Sequence, residues 1–170
     1  MRTKLILTLT ALLTACGPLV IGSPEPDPMD LETPIHISGA DPALVREAYS
    51  AVILAGGNPS QDLEGAYNLT IRIDPRCPCG AEYSCADSQN RTVILCPQIN
   101  DMSRNQIRIT VWGAVAQTLW GANPLPCEDA SVLSPSRCRD ADRLQTFTEA
   151  DQAEICRHAR GQFCQGYLTR

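Results

Sequence analysis

Nine cysteines in 170 residues set the terms on which this chain folds. Cys16 stands alone near the start, and the other eight are Cys77, Cys79, Cys85, Cys96, Cys127, Cys138, Cys156 and Cys164. Whether they pair depends on compartment, and the first residues bear on that. Met1-Arg2-Thr3-Lys4 is a short basic opening, Leu5 to Leu13 is mostly apolar, and the small residues Thr14 and Ala15 follow. That is the make-up of a secretory signal. It is shorter than the roughly 20 apolar residues needed to span a bilayer. Export favours disulfides for an even set of cysteines. Proximity along the chain suggests Cys127 with Cys138 and Cys156 with Cys164, leaving Cys77, Cys79, Cys85 and Cys96 to pair among themselves. Each bridge adds about 2–4 kcal/mol. A zinc site built from those last four is the competing reading. Its opening, Cys77-Pro78-Cys79, lacks the usual two-to-four-residue spacer, and an oxidising compartment competes for the thiolates.

The form of the cut carries more information. Leu13-Thr14-Ala15-Cys16 resembles a bacterial lipobox. The resemblance implies that residues 1–15 are removed as a lipoprotein signal peptide and that Cys16 is acylated as the new N-terminus. Several acyl chains give stable anchoring, because each buried CH₂ contributes about 0.8 kcal/mol. Gly17, in place of an aspartate, is similar to the outer-membrane sorting pattern of Gram-negative lipoproteins, so the expected location is the bacterial cell envelope. Residues 16–33 carry Pro18, Pro24, Pro26 and Pro28 with acids between them and read as a tether. In an extended polyproline-like form it would reach roughly 50 Å. Residues 34–170 are then the globular domain. Removing residues 1–15 takes away Arg2 and Lys4, so the formal charge moves from −5 to −7. A body this acidic is not built to bind nucleic acid by bulk electrostatics.

Within the domain, Pro34 to Ser38 reads as a short strand. Asp41-Pro42 opens a helix, with Asp41 as cap and Pro42 in the first turn, and Gly56-Gly57 stops it. Tyr67 to Ile73 alternates apolar and polar residues, as a half-buried strand does. A polar, cysteine-rich loop precedes a further strand at Arg91–Leu95. Ile107, Val111, Val115 and Leu119, with Trp112 alongside, mark the apolar stripe of a second helix, and Thr148-Glu149-Ala150-Asp151 reads as a capping box opening the last. The order points to an α+β fold with one small mixed sheet and about three helices.

The second helix ends in Ala114-Val-Ala-Gln-Thr-Leu-Trp-Gly-Ala-Asn-Pro124. Zinc peptidases of the metzincin type carry two histidine ligands four residues apart on a helix, with a glutamate base beside the first. A glycine then turns the chain toward a third ligand. With the glycine set at Gly121, the first ligand position falls on Ala114, the base on Val115, the second ligand on Thr118 and the third on Pro124. Ser131-Val132-Leu133-Ser134-Pro135 resembles the Met-turn of matrixin-type metzincins, with Leu133 at the methionine. Phe147 to Ile155 resembles the opening of their last helix. The strand, helix and strand from Pro34 to Asp74 are similar to the first elements of the zincin fold. Over roughly Thr33 to Gly161 the chain thus resembles a degenerate matrixin-like domain. This implies a zincin-like, disulfide-rich α+β body.

At the chemical positions the departure is complete. Alanine and proline offer no ligand atom, threonine offers only a neutral hydroxyl, and valine cannot take a proton. The resemblance therefore implies no catalytic residue, no metal and no cofactor. It leaves a vestigial cleft lined by Ala114, Val115, Thr118, Pro124 and Leu133 that could hold a protein or peptide by strand addition. Two alternatives stay open. One is a secreted hydrolase using Ser131 or Ser134, for which only His36 or His158 could supply an imidazole base. The other is an unrelated disulfide-bonded lipoprotein.

Overall fold

The computed structural model describes residues 29–168 apart from Ala81. The expected signal segment, Cys16 and most of the proline-rich stretch lie outside the described residues. The described residues form an α+β body, with five strands in one mixed sheet and three helices of ten or more residues.

Strand β1 (Pro34–Gly39) alternates buried Ile35 and Ile37 with more exposed neighbours. Helix α1 (Pro42–Leu54) follows, and the Asp41 carboxylate accepts from the Ala43 amide at 2.8 Å, as the cap reading requires. The short β2 (Asn58–Pro59) lies parallel to β1 at the sheet edge. β3 (Tyr67–Ile73) buries Leu69 and Ile71 and pairs parallel with β1. β4 (Ser84–Asp87) and β5 (Thr92–Leu95) complete the order β2-β1-β3-β5-β4, in which only β4 runs antiparallel. The sequence reading places β4 in a loop. It is a half-buried edge strand with no apolar alternation, so hydrophobic period gives no sign of it.

Helix α2 (Arg104–Trp120) is capped by Ser103, whose hydroxyl accepts from the Gln106 amide while the Gln106 side chain accepts from the Ser103 amide. It packs against α1 on one side and against β4 and β5 below. Every residue from Ile109 to Ala116 is buried, so α2 is a central helix covered on all sides rather than one with a single apolar stripe. Helix α3 (Glu149–His158) closes its far side under the expected Thr148–Asp151 capping box, and a four-residue turn, α4 (Gln165–Leu168), ends the described chain. No helix among the described residues is long and apolar enough to cross a membrane.

Four disulfides staple this body: Cys77–Cys96, Cys79–Cys85, Cys127–Cys138 and Cys156–Cys164. The two near-neighbour pairs are those expected from spacing. Cys77, Cys79, Cys85 and Cys96 pair among themselves, so none of these sulfurs is a thiolate that zinc could use. The packed body also starts upstream of residue 34. Leu31 is fully buried; its amide donates to Arg160 O at 2.8 Å and its carbonyl accepts from the Asn58 amide at 3.0 Å.

Candidate functional site

The residues that the sequence singles out converge where α2 ends. Gly121 adopts a left-handed conformation (φ 67°) and caps α2, its amide donating to Gln117 O at 3.1 Å. The chain then doubles back, and the Leu125 amide donates to Leu133 O at 3.2 Å. That contact lays the segment after Pro124 along the Ser131–Pro135 turn. The turn is closed by the Ser134 amide on Ser131 O, by a 3.1 Å contact between the two serine hydroxyls, and by Ser134 Oγ donating to Pro126 O.

Asp151 fixes this turn to α3. Its carboxylate, wholly buried, accepts from the amides of Val132 (3.1 Å) and Leu133 (2.9 Å), and from the amide and hydroxyl of Thr148 (2.8 and 2.9 Å). Four donors satisfy a charge that would otherwise be costly to bury. The same turn presses on α2 at Gly113, where an added Cβ would stand 3.0 Å from Val132 O. Arg139 fills the flank of that approach. Its Nε donates to Ser134 O at 2.6 Å, and its guanidinium lies against Gly113. Burial pulls its pKa down, opposed by the charges of Glu82 and Asp151.

Ala114, Val115, Thr118 and Leu133 are each at most 4% exposed, and Pro124 alone reaches the surface. The Thr118 hydroxyl donates to Ala114 O at 2.7 Å, so it is spent on its own helix. Open concavities lie elsewhere, near Arg160 and between α1 and α2. The expected cleft is therefore filled at four of its five positions. Small and mostly apolar side chains at these positions let the turn and α3 close over the helix without burying an unpartnered polar group.

Neither imidazole is hydrogen-bonded to Ser131 or Ser134. His36 on β1 lies 3.4 Å from the Tyr49 hydroxyl. His158 Nε2 lies 3.1 Å from Glu154 Oε1 and 3.0 Å from Asn123 Nδ2. Glu154 is buried, and it also accepts from the Asn123 amide and pairs with Arg157. Burial raises its pKa, but the bonds from Asn123 and His158 and the charge of Arg157 outweigh that and lower it. This Glu154 cluster ties α3 to the residue before Pro124. The i, i+3 spacing of Glu154 and Arg157 and the i, i+4 spacing of Glu154 and His158 are its traces in the sequence; nothing there announces Asn123 or Arg139. Among the described residues no group of three or more His, Cys, Asp or Glu side chains is placed to hold a metal.

No family model matches the chain, and comparison with curated proteins and with solved structures finds no match either.

Proposed function

We propose that this protein is a lipid-anchored lipoprotein of the bacterial cell envelope. Its body is a matrixin-like domain that has lost metal chemistry and serves as a binding or structural module. The observation that carries this reading is the convergence at the end of α2. The glycine turn at Gly121, the Leu125–Leu133 bond and the Asp151-anchored turn assemble three separate motifs of the resemblance at one place. The positions that would hold zinc and the base carry Ala114, Val115, Thr118 and Pro124. The β1–α1–β3 order supports the same resemblance. The lipobox supports the anchor, with the membrane as partner through the lipid on Cys16.

The test has two arms. Metabolic labelling with a fatty acid should mark the wild-type chain in the envelope fraction and leave a Cys16→Ser variant unlabelled. The purified chain should hydrolyse neither peptide nor ester substrates. Hydrolysis that a chelator abolishes would overturn the loss of metal chemistry. Hydrolysis lost in His36→Ala or His158→Ala would point to a hydrolase of another kind.

A further inference from the structure

A second region has the chemistry of a binding site and lies apart from the end of α2. An open concavity of about 610 Å³ runs between α1 and the first half of α2. Arg104, Arg108 and Trp112 line its α2 side, one and two helical turns apart, while Glu47, Ile53 and Leu54 line the α1 side. We propose that it receives an acidic peptide segment carrying apolar side chains.

Charge complementarity is the first reason. Neither Arg104 nor Arg108 has a carboxylate partner among the described residues, in a chain whose formal charge is −5. Both sit in the first turns of α2, which contain no acid, so their charges add to the positive end of the helix dipole. Arg108 meets only neutral acceptors, Leu144 O at 3.1 Å and Gln145 Oε1 at 3.2 Å. The second reason is unmet hydrogen bonding just beneath the concavity. Arg108 lies over the Trp112 ring at 5.2 Å, and both Arg108 Nε and Trp112 Nε1 are buried donors without partners. Buried donors are normally satisfied, and a carboxylate that takes the place of Gln145 Oε1 on Arg108 gives this under-bonded guanidinium a charged acceptor. A carboxylate also binds arginine more strongly than a neutral oxygen does.

The α1 wall decides between a peptide and a simple anion. Ile53 is 59% exposed on this rim, and Glu47 repels a second acid there. The occupant must therefore set an acid on the α2 side and an apolar group on the α1 side. The volume lies in the range of sites that enclose whole ligands rather than single ions. The site does not depend on the matrixin-like reading and would stand on an unrelated body.

The probe is an acetylated synthetic peptide of alternating glutamate and leucine, titrated into the mature chain with Cys16→Ser and followed by ¹⁵N NMR. Amide shifts are expected at Ser50, Ile53, Arg104, Asn105 and Gln145. Affinity should fall roughly tenfold or more in Arg104→Glu, whose exposed side chain is not needed for folding, and fall steeply with salt. The Arg108→Gln variant should also bind more weakly. Equal binding by a lysine-for-glutamate peptide, unchanged affinity in Arg104→Glu, or shifts confined to the concavity near Arg160 would overturn the proposal. So would free glutamate or phosphate reproducing the same shifts at the same concentrations, which would make it a site for simple anions.

Discussion

Replacing Asp151 tests the side chain that hydrogen-bonds the Ser131–Pro135 turn to α3. In Asp151→Ala the Val132 and Leu133 amides lose their acceptor inside a region that excludes water, and Thr148 loses two further bonds. Each buried amide left without a partner costs about 1–3 kcal/mol. The two turn amides alone therefore set an expected loss of about 2–6 kcal/mol, with the Thr148 amide, which loses its acceptor while the cap bond from the Asp151 amide to the Thr148 hydroxyl stays, adding roughly 1 kcal/mol. Asp151→Asn separates charge from geometry. One oxygen can still serve Val132 and Thr148, while the new amide group faces the Leu133 amide, so roughly half the loss is expected. The assay is urea unfolding with the disulfides intact, read as a shift in midpoint at constant slope. Hydrogen exchange of the Val132 and Leu133 amides is followed in parallel. A loss below about 1 kcal/mol in Asp151→Ala, or unchanged protection of those amides, would refute the reasoning.

Two further outcomes follow from the same packing. Gly113→Ala should destabilise the domain by about 1 kcal/mol or more despite alanine's better helix propensity, because the new Cβ meets Val132 O at 3.0 Å and Asp151 prevents that carbonyl from retreating; thermal unfolding reads the sign. Because the Glu154 pKa is lowered in the folded chain, its contribution is complete above the ordinary glutamate value of about 4.3 and is lost as the pH falls through the lower folded value. Glu154→Gln should flatten the acid limb of a stability-against-pH curve, and an unchanged limb would exclude Glu154 as its source.

Much of this fold is legible in local chemistry. Asp41 and Thr148 accept hydrogen bonds from amides of their own first turns, and Gly121 ends α2, because caps and left-handed turns depend on residues close in sequence. The near-neighbour disulfides are legible for the same reason. What escapes is long-range. Leu31 reads as part of a tether because its partners, Asn58 and Arg160, lie far along the chain. The full burial of α2 is hidden because its second apolar side is covered by the 122–148 loop and α3, which periodicity cannot foresee. Asp151 is visible as a capping residue, yet its two bonds to the Val132 and Leu133 amides are tertiary. For the candidate site, the motif order identifies the place, whereas its closure by Leu133, Arg139 and the Glu154 cluster is known only from the packing.

Zinc content, measured side by side on two forms of the mature chain, tests the central claim most directly. One form is wild type. The other carries Ala114→His, Val115→Glu, Thr118→His and Pro124→His, which places a ligand or base at each position where the proposed resemblance calls for one. After incubation with zinc and removal of the excess, the wild-type chain should carry none in stoichiometric amount and the substituted chain one ion per molecule. Stoichiometric zinc on the wild type, or a folded substituted chain that retains none, would contradict the account.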